Sequence, residues 1–127
     1  MGQDRESGRA AVKYGHDMAK RVAEFLGANL LSELSNEATL GNERIAIKSA
    51  RQRTPEIGLS RAMLERAQII AAALENPDRA YTLYRLSPEW YQVHMVLSRS
   101  RSPSAQRVMM VQCKLIRREG HVIGITP

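Results

Sequence analysis

Gly41-Asn42-Glu43-Arg44-Ile45-Ala46-Ile47-Lys48-Ser49-Ala50-Arg51 is the stretch whose pattern decides the fold. Ile45 and Ile47 fall on one side of an alternating run, and Arg44, Ala46 and Lys48 fall on the other. A period of two belongs to a strand with one apolar face. Gly41-Asn42, just ahead of it, is a turn signal, because both residue types tolerate positive φ. The run over 44–50 is therefore a strand entered from a tight hairpin.

Upstream, residues 9–26 carry the helical period. Tyr14, Met18, Val22, Phe25 and Leu26 make one stripe, with Ala11 and Ala19 beside it and Lys13, Lys20, Arg21 and Glu24 interleaved. That spacing predicts an amphipathic helix, ended by Gly27. Residues 1–9 read as a mobile lead-in, leaving 10–127 as one domain.

Downstream, Arg51-Gln52-Arg53-Thr54-Pro55 is a basic exit loop. Ser60 is a predicted N-cap for a second helix over 60–75, with Met63, Ala67, Ile70 and Leu74 as its stripe. Asn76-Pro77-Asp78 stops it. Residues 80–86 read as a strand, and Ser87-Pro88-Glu89 opens a third helix with proline at its first position. Residues 98–107 show no apolar periodicity and read as an exposed, mobile loop. Residues 108–115 and 121–125 read as strands. Helices and strands in this mixed order predict an α+β fold.

At 43% hydrophobic and 25% charged residues over 127 positions, the composition is that of a folded chain and not of a disordered one. No apolar run reaches the ~20 residues that cross a bilayer. The polar opening Met1-Gly2-Gln3-Asp4-Arg5-Glu6-Ser7 has no apolar signal core, so the expected location is cytoplasmic, with no membrane partner. One cysteine, Cys113, excludes an intrachain disulfide framework and a Cys-rich zinc site. Nineteen Lys and Arg against thirteen Asp and Glu give a net charge of +6, which favours a polyanionic partner such as DNA.

The segment from Glu37 to Lys48, with a helix before it and a helix and strand after it, resembles the core hairpin of the PD-(D/E)XK, restriction-endonuclease-like superfamily. The resemblance covers roughly residues 10–86. It implies a mixed central sheet flanked by helices, a restriction-endonuclease-like core, and DNA as partner. It implies Mg²⁺ as cofactor for phosphodiester hydrolysis, and a homodimer that embraces a duplex. Glu37 matches the family's first acid and Lys48 its lysine, so these two are the catalytic candidates and Glu37 a metal ligand.

Ala46 stands where the family has its second acid, and alanine offers no oxygen to a hard cation. Asp17 or Glu24 on the first helix is the candidate replacement ligand, and Glu56 a third. Glu43 has the wrong parity. Apart from the resemblance, Lys48 reads as a solvated strand lysine and Glu37, beside Asn36, as turn chemistry. A rival motif, Gln112-Cys113-Lys114, lacks a preceding acid and room for the elements that follow. His16, His94 and His121 have no metal-ligand spacing, and no glycine-rich phosphate loop is present.

The basic residues cluster. Lys48, Arg51, Arg53 and Arg61 follow the strand exit; Arg99, Arg101 and Arg107 mark the long loop; Lys114, Arg117 and Arg118 precede the last turn. The first two groups are the candidate nucleic-acid contacts, to the backbone more than to bases. Two readings follow: a nuclease-like DNA-binding domain with Mg²⁺-dependent hydrolysis, or a non-catalytic binding or assembly module that kept the fold and lost the metal site. Ala46 is the residue that separates them.

Overall fold

A computed structural model describes the backbone of residues 2–32, 35–98 and 108–126, and the side chains from Arg9 onward within those spans. The hairpin is the organising unit. β2 (Glu37–Leu40) pairs antiparallel with β3 (Glu43–Ala50). Of the two turn residues only Gly41 has a positive φ, 61°. That is the type II′ pattern, which places glycine at the first central position. Helix α1 (Gly2–Leu26) precedes the hairpin and starts ahead of the residue 9 that its periodicity predicts. It ends in a Schellman motif: Gly27 at φ 71°, its N–H donating to the Glu24 carbonyl, and the Ala28 N–H donating to the Ala23 carbonyl.

Six strands form one mixed sheet in the order β1 (Asn29–Leu30), β2, β3, β5 (Ile69–Glu75), β6 (Tyr81–Leu86), β9 (His121–Thr126). β3 and β5 run parallel, and the other neighbours run antiparallel. A parallel pair needs a crossover. Here it consists of β4 (Glu56–Ser60) and α2 (Arg61–Arg66). β4 belongs to a second, three-stranded sheet in the order β4, β8 (Val108–Gln112), β7 (Val96–Leu97). Helices α3 (Pro88–His94) and α4 (Cys113–Glu119) complete the architecture.

The large sheet is covered on both faces. Met18, Val22 and Ala23 of α1 pack on Ile45, Ile47, Ala71 and Leu83. On the other face Ala46, Ile70, Leu74 and Leu86 meet Ile57 and Leu59 of β4, Met109 and Val111 of β8, Tyr91 of α3 and Ile116 of α4. The α+β reading and the strand over 44–50 are what the structure has. Ser60 and Ser87 cap α2 and α3 through their side chains, as read from the sequence.

Two expectations are corrected. The second helix does not run to residue 75: α2 stops at Arg66, and Ile69–Glu75 is the central strand β5. Every β5 residue up to Leu74 is buried, because α1 lies on one side and the second layer on the other. A strand buried on both faces has no alternation to betray it. The strand predicted over 108–115 ends at Gln112, and Cys113 begins α4. Among the described residues no helix is long and apolar enough to cross a membrane.

Candidate nucleic-acid interface

The β2–β3 register sets Glu37 directly opposite Ala46. Opposite residues share a face, and so do residues two apart along a strand. Glu37, Arg44, Ala46 and Lys48 therefore lie on one face by register, opposite Ile45 and Ile47. The two catalytic candidates are on the same side of the sheet.

The Glu37 carboxylate already has cationic partners. Its Oε1 accepts from Arg44 Nε at 3.2 Å and from Arg66 Nε at 3.2 Å, and its Oε2 accepts from Arg66 Nη2 at 2.9 Å. Burial pushes the carboxyl pKa up, but the hydrogen bonds from Arg66 and Arg44 outweigh it, and the net shift is downward. The same contact raises the Arg66 pKa. Arg66 arrives as the last residue of α2, so the crossover itself delivers the clamp. Ala46, opposite, is fully buried.

Lys48 is half-buried, which pushes its pKa down, and no ion pair to Glu37 forms. With Tyr14, Asn36, Ser49 and Arg51 it lines a cavity of about 500 Å³ beside α1. The Asn36 Oδ1 there is buried without a donor among the described residues.

The other metal candidates are not brought to Glu37. Asp17 and Glu24 are exposed on α1, which covers the opposite face, and Asp17 pairs with Lys13 at 2.8 Å. Glu56 opens β4 and pairs in register with Gln112. Glu43 sits at the turn, opposite Leu40. Among the described residues no group of three or more His, Cys, Asp or Glu side chains is placed to hold a metal ion. Mg²⁺ needs several oxygen ligands, and here the hairpin carboxylate is committed to two guanidinium groups with an alanine across from it. These residues do not fit the cation. The rival Gln112-Cys113-Lys114 motif straddles the junction of β8 and α4, so its glutamine and lysine are not on one strand. Cys113 is buried, and burial pushes its thiol pKa up.

The basic residues are sorted by the fold. Arg51 lays its guanidinium 4.2 Å from the centre of the Tyr14 ring. Arg61 is exposed at the start of α2. Arg99, Arg101 and Arg107 lie outside the described residues. Arg53 faces a groove of about 770 Å³ that Lys114 and Arg117 also line, between the 51–55 connection, β7 and α4. None of the three has an ion-pair partner among the described residues.

Lys114 and Arg117 belong to the basic cluster read before the last turn, but not to the two clusters singled out in the sequence as the nucleic-acid contacts. That the two share one helix face was hidden by the strand assignment over 108–115, since α4 begins at Cys113. Arg44 and Arg66 were also missed as partners of Glu37, and no local pattern links positions 37 and 66. Comparison with protein-family models, with curated proteins and with solved structures finds no match at any of the three levels.

Proposed function

We propose that the chain is a non-catalytic nucleic-acid-binding module that holds the sugar–phosphate backbone of DNA across the groove of Arg53, Lys114 and Arg117. One observation carries this reading. Three cations from two separate elements converge on one open concavity without a carboxylate paired to any of them among the described residues. Phosphate oxygens are the natural complement of such a set, and a net charge of +6 adds long-range attraction. Descent from a restriction-endonuclease-like core is part of the same proposal, supported by the hairpin motif and by Glu37 and Lys48 sharing a face. Ala46 and the arginine clamp on Glu37 support loss of the metal site. A homodimer would offer two such grooves to one nucleic-acid chain.

The competing reading is Mg²⁺-dependent hydrolysis at Glu37 and Lys48, favoured by their common face. Both readings meet one experiment. DNA affinity is measured by fluorescence anisotropy, with and without Mn²⁺, alongside a gel assay for cleavage. If the groove cations each engage a phosphate, affinity falls by roughly one to two orders of magnitude between about 50 and 200 mM salt. Replacing Arg53, Lys114 and Arg117 together by Gln should lower the salt slope by about 2–3. Metal-dependent cleavage that Lys48→Ala abolishes would overturn the non-catalytic reading. Absence of binding at low salt would overturn the module itself.

A further inference from the structure

We infer that the nucleic acid this groove takes is a single strand, its phosphates on the cationic wall and its unstacked bases against an aliphatic wall. The inference rests on the proposed function above and narrows it.

The two sides of the groove differ in chemistry. Arg53 comes from the 51–55 connection, and Lys114 and Arg117 come from one face of α4. Facing them is β7, the edge strand of the second sheet, with Val96 54% and Leu97 52% exposed. Val96 and Leu97 both line the groove, and Met110, which Val96 pairs with in the β7–β8 register, lines it beside them. An apolar stretch bordering a cationic wall is a patch rather than a lone exposed residue.

Duplex DNA has no use for that patch. It stacks its bases inside and offers a groove of this kind only sugar and phosphate. A single strand offers both at once, a charged backbone and flat apolar base faces. The concavity, about 770 Å³, is on the scale of pockets that enclose a small ligand, ~300–1,000 Å³, and so suits a short run of unstacked nucleotides.

Glu56 and Gln112, neighbours in the β4–β8 register, also line the groove. A carboxylate repels phosphate, so Glu56 marks the part of the groove that the backbone avoids. It accepts from an exocyclic base amine instead, and Gln112 both donates and accepts.

The test uses the full chain and one mixed-sequence oligonucleotide, labelled, as a single strand and as its duplex. At about 50 mM salt the single strand should bind roughly tenfold more tightly than the duplex. Val96→Gln with Leu97→Gln, both half-exposed, should weaken the single strand about tenfold and leave the duplex unchanged. Arg53→Gln with Lys114→Gln and Arg117→Gln should weaken both forms. A second measurement needs no variant: a single strand carrying bromodeoxyuridine should photo-crosslink to the peptide spanning residues 93–98.

Duplex binding equal to or tighter than single-strand binding, or single-strand binding indifferent to Val96 and Leu97 with no crosslink there, overturns the inference while the DNA-binding reading stands. Failure of both forms to bind overturns that reading instead.

Discussion

A carboxylate at the head of a strand can neutralise a metal ion or the protein's own cations, and at Glu37 the cations are Arg44 and Arg66. The folded pKa of this group lies below its unfolded value, since hydrogen bonds from the two arginines outweigh burial. Its stabilisation is therefore complete above the unfolded pKa, about 4.3, and is lost as pH falls through the lower folded pKa. Glu37→Gln should cost about 1–3 kcal/mol at pH 7, because hydrogen bonds to a charged group are weakened on a side chain with little solvent. The gap between variant and parent in urea midpoint should close as pH is lowered below about 4. A gap that persists undiminished in acid would mean that shape, not charge, is what Glu37 contributes. Ala46→Glu probes the neighbouring position. Ala46 is fully buried among core atoms, so a glutamate there buries a second carboxylate beside the first. We expect a loss of 3 kcal/mol or more, roughly, and no gain of metal-dependent cleavage. A variant that melts like the parent and cuts DNA with Mn²⁺ would instead reveal a site with room for the missing acid.

Single elements were legible wherever their chemistry is local. Ser60 and Ser87 cap helices because a hydroxyl reaches a backbone N–H three residues on, at Met63 and Trp90. Gly27 and Gly41 take the positive φ that the turn signals imply. The Ile45/Ile47 face was readable because β3 alternates. β5 was not, because Ile69-Ile70-Ala71-Ala72-Ala73-Leu74 is apolar on both faces and rich in the residue with the best helix propensity. Nothing at Ala67-Gln68 announces the end of α2, and nothing at Cys113 announces the end of β8. The site follows the same division. That Glu37 and Lys48 share a face follows from strand period and hairpin register. That Arg66 grips Glu37 depends on how the crossover docks, which no short-range pattern encodes. Docking of that second layer has its own measurable anchor in Tyr91, which is fully buried and donates its hydroxyl to the Met109 carbonyl at 2.6 Å, tying α3 to β8. Tyr91→Phe leaves that acceptor without its donor and should cost about 1–2 kcal/mol in urea denaturation, with the same spectrum and the same m-value. A neutral result would show that the Met109 carbonyl is satisfied without the tyrosine.

For the molecule as a whole, salt acts on folding and on binding in opposite directions. Two ion pairs among the described residues are at the surface, Lys13 with Asp17 and Arg118 with Glu119, whereas the Glu37 clamp holds a buried carboxylate that salt screens less. Exposed pairs contribute about 0–1 kcal/mol each, so screening them removes little. A net charge of +6 on 127 residues repels itself in the compact state, and screening relieves that repulsion. The free protein should therefore keep or slightly raise its thermal midpoint as salt goes from about 50 to 200 mM. The DNA-bound protein should do the reverse. A ligand held only by the native state stabilises it by RT ln(1 + [L]/Kd), about 2.7 kcal/mol at a hundred times Kd. Each tenfold loss of affinity removes about 1.4 kcal/mol of that. At fixed oligonucleotide concentration the two melting curves should converge as salt rises, and the groove variant with Arg53, Lys114 and Arg117 changed to Gln should show a smaller separation at every salt. Its own midpoint without DNA should fall little, because none of the three cations has an ion pair to lose among the described residues and Arg117 gives up only a long, exposed bond to the Glu75 carbonyl, 3.5 Å. A DNA-induced shift that survives high salt, or that the variant retains in full, would place the binding energy somewhere other than on these cations.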